Sequence, residues 1–199
     1  MVALFTRTAS DNIAFVDCDN VFVGRRAAQE LLSRGYHRFV HVAGPGTNSN
    51  ARDRRTGFEE EMRREGAPLE IISGEGLGSD WDEPYAVHAC DRLNAILKEH
   101  GENCGVFAWC DSLAIYMMRA GRLDIPSKVG LLGCDGFELA EGLLDEMGLS
   151  TVSQGVEAIA YEGVRVAERL LNGGSPKDNQ MILKRFVQVI PRKSTSVIR

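Results

Sequence analysis

Short apolar runs alternate with helical patterns along almost all of this 199-residue chain, and that alternation is what parallel α/β sheets require. The runs are Ala3–Phe5, Ile13–Asp17, Arg38–Ala43, Glu70–Ser73, Gly105–Cys110, Gly130–Gly133 and Phe186–Ile190. Most are continuously apolar, the mark of strands covered on both faces. Between them, Gly24, Ala27, Ala28, Leu31 and Leu32 recur at helical spacing, and Gly35 can end that helix. A second helix carries Phe58 and Met62 and is ended by Gly66 and Pro68. A third starts near Asp82, with Pro84 in its first turn, and stops at Gly101. Ser112 to Gly121 predicts a short fourth helix, and Gly155 to Asn172 the longest, stopped by Gly173-Gly174-Ser175-Pro176.

The polar residues fall where such a sheet binds ligands. Asp17 to Asp19, the Gly44–Asn50 loop, the Gly74–Trp81 loop, Asp111 and Asp135 all follow the C-terminal ends of predicted strands. In open α/β sheets that edge holds the ligand crevice. Arg54 is the sharpest of these signals. It is expected in the first turn of a helix, where a cation opposes the helix dipole and needs a partner or a purpose. Gly57, three residues on, leaves room beside it, and Phe58 turns the same face to the core. Two readings stay open: pairing with a nearby Asp, or holding a ligand with the planar fork of guanidinium donors.

Composition narrows the partners. Hydrophobic residues make up 44% of the chain, enough for a real core, and the formal net charge is −5. That balance and the absence of a basic block argue against a nucleic-acid surface. The Arg-rich stretch Arg52 to Arg64 is interleaved with Asp53, Glu59, Glu60 and Glu61, as in a solvated face with helical ion pairs. Five cysteines, an odd number without a CxxC pair, suit buried free thiols in a reducing cytoplasm. No His lies at ligand spacing from two Cys, so no metal is expected. No apolar run reaches the roughly 18 residues of a membrane span, and the N-terminus lacks the regions of a signal peptide.

The order of motifs resembles the effector-binding region of the lactose-repressor (LacI/GalR) family of bacterial transcription regulators. Asp19 to Gly35 is similar to that family's "D…G…A…L…GH" helix, and Val42 to Phe58 to its "G…R..GF" segment. Trp109 to Ala114 resembles "ND..A", with Cys110 in place of the usual Asn. Ile125 to Asp135 resembles "vP.dv.v.G.D", Leu149 to Gln154 "LTTV.Q", and Arg192 to Thr195 the closing "R.ST". Six motifs in order make a specific signal. The resemblance implies a periplasmic-binding-protein-like α/β fold with a doubly wound parallel sheet. Residues 17–153 and 187–199 would form a nearly complete C-terminal lobe, and residues 1–16 and 154–186 the remnant of an N-terminal lobe. The family's helix-turn-helix head has no counterpart here.

By resemblance, Arg54 and Asp135 match effector-contacting positions, and Trp81 sits where some members present an aromatic ring to a sugar. Asp111 occupies the second position of "ND". Each has a plainer alternative: helix capping for Asp135 and Asp111, packing under a loop for Trp81. The implied function is binding of a sugar or sugar-like effector, with homodimerisation through the Ser112–Gly121 helix and Ile115. DNA would be reached only through a head outside this chain, without membrane or cofactor. A periplasmic-type sugar-binding protein is the alternative. An enzyme is not expected: no His is paired with Ser or Cys as a nucleophile. Asp111 and Asp135 could mimic a Mg²⁺ pocket, but no phosphate-cradling Gly loop accompanies them.

Overall fold

The computed structural model describes residues 1–74, 82–101, 103–136 and 141–196. Trp81 lies outside them. Two sheets organise the chain. The larger is built from β3 (Arg38–Val42), β4 (Leu69–Ile72), β5 (Cys104–Ala108), β6 (Val129–Asp135), β7 (Ser150–Ser153) and β9 (Gln188–Ile190). Its order is β4-β3-β5-β6-β7-β9, parallel except for β9, which runs antiparallel to β7. The smaller sheet is parallel, in the order β1-β2-β8, from β1 (Val2–Leu4), β2 (Ala14–Cys18) and β8 (Gln180–Leu183).

Helices cover both faces of the large sheet, as its apolar strands demand. α1 (Asn20–Ser33) and α2 (Ser49–Arg64) lie on one face, with Val23, Ala27, Leu31, Phe58 and Met62 buried in one core. α3 (Glu83–His100) and α4 (Asp111–Arg119) contribute Tyr85, Leu93, Leu113 and Met117 to the other. The strands serve both cores by alternation: Val106 and Ala108 of β5 enter the α3/α4 core, and Phe107 the α1/α2 core. The short α5 (Glu141–Met147) precedes β7. α6 (Val156–Leu171) instead packs on β1 and β2 of the small sheet.

Several boundaries differ from the sequence expectation. α2 begins at Ser49, capped by the Asn48 side chain, so Arg54 falls in its second turn. β7 was absent from the apolar-run strands because Ser150, Thr151 and Ser153 make it read as polar. All three are buried, and hydrogen bonds to Arg192, Ser194, Thr195 and Asp111 serve Ser150 and Thr151. Phe186–Ile190 shortens to β9. The apolar stripe of α6 does not stand open to solvent. Ile159, Gly163 and Val166 are instead buried, and a Cβ at Gly163 would lie 2.6 Å from a Leu4 methyl. Tyr161, Val164 and Leu171 of this helix are exposed. α4 is likewise not apolar to solvent all round: Leu113, Ala114 and Met117 are buried, and Ile115 faces a cleft.

Candidate functional site

The segments after the C-terminal ends of β1, β3, β5, β6 and β7 converge. They open onto a cleft of about 600 Å³. The large sheet brings Arg54, Trp109, Asp111, Asp135 and Gln154 to its lining, and Phe5 reaches it from the end of β1. Phe5 has φ of 56°, a left-handed backbone that is costly for an aromatic residue. Its carbonyl is held by Asn50 Nδ2 of α2 at 2.7 Å, which carries the end of β1 across to the other sheet.

Arg54 is only 2% exposed. It reaches this position because α1 and α2 cross without side chains between them. A Cβ at Gly24 would lie 1.9 Å from the Arg54 carbonyl oxygen, and one at Gly57 1.9 Å from the Val21 carbonyl oxygen. The guanidinium donates from Nε to Asn20 Oδ1 at 3.0 Å, and from Nη1 to the Trp109 carbonyl and to Asp135 Oδ1 at 3.3 Å. Its carbon lies 6.0 Å from the centre of the Trp109 ring. Nη2 has no hydrogen-bond partner among the described residues.

Asp135 ends β6 with φ of 149°, a region ordinarily left to glycine, and Gly136 follows at 60°. Strain of this kind persists where surrounding contacts over-determine the geometry. Here Oδ1 accepts from Arg54 and from Gln154 Nε2 at 2.7 Å, and Oδ2 accepts a long 3.4 Å bond from the Asp111 amide. The Asp135 side chain keeps 31% exposure. Asp111 does not cap α4; Cys110 holds the cap position without a side-chain bond. Both Asp111 oxygens turn inward, to the Gly136 amide at 2.9 Å and to Thr151 Oγ1 at 2.7 and 3.0 Å. Burial and the neighbouring Asp135 carboxylate push Asp111 up to about 7. Burial also raises Asp135, against the pull of Arg54. Two carboxylates this close cannot both ionise freely, so the pair retains a proton well above the usual carboxylate range.

The profile of the periplasmic binding protein-like domain family matches residues 28–195. The chain belongs to that family. Within it, this periplasmic-binding-protein-like domain is similar to the ribose operon repressor of Halalkalibacterium halodurans, at 30% identity over 174 residues, 86% of this chain and 48% of the repressor. It is 25% identical over 182 residues to the HTH-type transcriptional regulator CelR of Thermobifida fusca, covering 90% of this chain and 52% of the regulator. A solved structure gives a TM-score of 0.78 at 26% identity, over 100% of this chain and 70% of that one. It is a periplasmic binding protein/LacI transcriptional regulator from Alkaliphilus metalliredigens, complexed with D-xylulofuranose. The domain spans about half the length of the curated relatives it matches. Sequence relatives and fold thus agree with the resemblance to the effector-binding region of LacI-type regulators.

Three of the four expected site residues, Arg54, Asp111 and Asp135, meet in this domain's cleft. The pairing reading of Arg54 holds, and its partner Asp135 stands at the cleft wall. Sequence reasoning missed Asn20, Gln154, Trp109 and Phe5 as parts of the site. The Asp17 to Asp19 strand end pointed near Asn20, and the "LTTV.Q" motif contained Gln154. Chemically, the cleft is lined by the Arg54–Asp135 pair together with apolar Phe5, Trp109, Ile115 and Val156. No His lines it among the described residues, and burial keeps the Cys110 thiol protonated, pushed up to about 12.

Proposed function

We propose that this domain binds a small sugar or sugar-like metabolite in the cleft and acts as the effector-binding region of a LacI-type transcription regulator. The observation that carries the reading is the Arg54–Asp135 pair in the lining of a cleft that also presents Phe5, Trp109, Ile115 and Val156. A sugar hydroxyl accepts from Nη2 and its neighbour donates to Asp135 Oδ2, while the C–H face of the ring lies on Trp109 and Phe5. Asp111 ties the start of α4 to Gly136 after β6 and to Thr151 on β7. Trp81 belongs to the proposed ligand set by its place in the sequence.

The six-stranded sheet with α1 to α5 forms one lobe, residues 17–153 and 187–199, into which β2 leads. The three-stranded sheet and α6 belong to the other, residues 1–16 and 154–186. Ligand bound between them stabilises the closed arrangement by its differential contacts, and in a whole regulator that shift alters DNA affinity. The domain acts as a cytoplasmic homodimer and not as an enzyme. A free periplasmic-type binding protein would use the same cleft, but five unpaired buried thiols favour a reducing compartment.

Titration calorimetry against a panel of pentoses and hexoses, including D-ribose and D-xylulose, tests the reading. At least one sugar binds the wild type, and both Arg54→Ala and Asp135→Asn lower its affinity tenfold or more. Equal affinity in folded variants would reject the assignment of the cleft.

A further inference from the structure

Asn20 opens α1 and is 1% exposed, yet it does not cap the helix. Asp19 does that, accepting from the Phe22 amide at 2.9 Å. The Asn20 amide is thereby free for a longer-range task. Nδ2 donates to both Asp17 oxygens, at 3.3 and 3.2 Å, and Oδ1 accepts from Arg54 Nε at 3.0 Å. The chemistry of the neighbours fixes this orientation. An ionised carboxylate only accepts and a guanidinium only donates, so a group between them must donate at one end and accept at the other. An amide of this length does both.

We infer that Asn20, carried on Asp17, is a positioning residue that locks the Arg54 guanidinium so that its Nη2 edge faces the cleft. The inference rests on the cleft being the effector site. Nη1 is fixed by Trp109 and Asp135, both on the large sheet. Nε is fixed through Asn20 to Asp17, which is fully buried on β2 of the small sheet and held there by the Cys18 amide at 2.8 Å. A guanidinium tied at both ends cannot turn about its Cδ–Nε bond, and the remaining nitrogen keeps one direction. Released at Nε, it can rotate and present either edge, and ligand binding must then include the ordering of that fork. The reach from α1 to α2 depends on the same close crossing that seats the Arg54 carbonyl against Gly24.

The inference is tested on the full 199-residue chain by the NMR signal of the Arg54 Nε–H, assigned by its loss in Arg54→Lys. In the wild type this proton exchanges slowly with solvent. In Asn20→Ala it exchanges at least tenfold faster, and affinity for whichever panel sugar binds the wild type falls at least tenfold, with the fold retained by circular dichroism. Asn20→Asp supplies the control. It accepts from Arg54, but its carboxylate faces Asp17 and can donate to it only when one of the two is protonated. The charged groups around this pair are Arg54 on α2, Arg7 after β1, whose Nε lies 4.0 Å from Asp17, and Asp135 beyond Arg54. Relative to wild type at each pH, Asn20→Asp recovers slow exchange and affinity at pH 5 and loses both at pH 8. Wild-type exchange in folded Asn20→Ala, or in Asn20→Asp at pH 8, overturns the inference. If no panel sugar binds the wild type, the effector reading fails, while the Nε–H exchange still decides the role of Asn20.

Discussion

Arg54 is tied into the fold more tightly than its expected place in a first helical turn implied, because three separate acceptors converge on its guanidinium. Its removal leaves Asn20 Oδ1, the Trp109 carbonyl and Asp135 without their cation. Breaking a buried pair typically costs about 3–5 kcal/mol, and the part-exposed Asp135 places this case at the low end. Arg54→Ala is therefore expected to lose about 3 kcal/mol in urea unfolding as well as sugar affinity. A loss under about 1 kcal/mol would show that the network is dispensable for folding. His41 makes a separate, pH-dependent contribution. It is fully buried, stacked on Phe107 and near Phe58, with Nδ1 2.9 Å from the Phe107 carbonyl. Nε2 finds no partner among the described residues. Burial lowers its pKa from 6.5 to about 4. In that window the unfolded state binds the proton and the folded state does not, so stability present above pH 6.5 is lost as pH falls towards 4. The raised Asp111 works in the opposite sense, losing stability as pH rises through about 7. Comparison with His41→Phe isolates the histidine. The variant should gain on wild type by roughly 3 kcal/mol between pH 7.5 and 4, and a pH-independent difference would contradict a neutral buried His41.

The crossing of α1 and α2 sets where Arg54 stands. Glycine inside a helix ordinarily costs about 1 kcal/mol against alanine, so Gly24→Ala would stabilise an isolated α1. At 1.9 Å from the Arg54 carbonyl oxygen, the added methyl forces the helices apart. Overpacking of that kind costs about 1–3 kcal/mol and outweighs the gain in propensity. Gly24→Ala is expected to lower the melting temperature and to weaken sugar binding together, because α2 moves with Arg54 on it. A higher melting temperature would mean that the crossing relaxes without strain. The elements themselves were largely legible: α1, α3, α6 and the apolar strands follow from period and stop signals. β7 was not, because its side chains read as polar. Ser150 and Thr151 are tolerable in the interior only because the returning segment Arg192 to Thr195 and Asp111 supply partners.

For the molecule as a whole, the association expected through Ile115 has to be redistributed. Ile115 lines the cleft, so Ile115→Glu would report on binding first. Tyr116 and Met118 of α4 are part-buried against the α3/α4 core and keep some exposure. We expect a monomer–dimer equilibrium at micromolar concentration in sedimentation velocity, shifted to monomer by Tyr116→Glu. A concentration-independent monomer in the wild type would remove the dimer from the proposal.

Features that repeat locally or punctuate the chain can be read without coordinates. Apolar runs and helical periods yielded the α/β class, and the polar loops after strands yielded the sheet edge whose cleft Arg54, Asp111 and Asp135 line. Which groups those residues face follows from the packing of the chain. Arg54 meets Asp135 from 81 positions away and Asn20 from 34, and Cys18 Sγ donates to Gln154 from 136. Such pairings depend on strand order and on how closely two helices approach, and neither leaves a periodic trace in the residues involved. The burial of Arg54 has the same origin: its two small neighbours are visible in the sequence, but the helix that closes over them is set by packing.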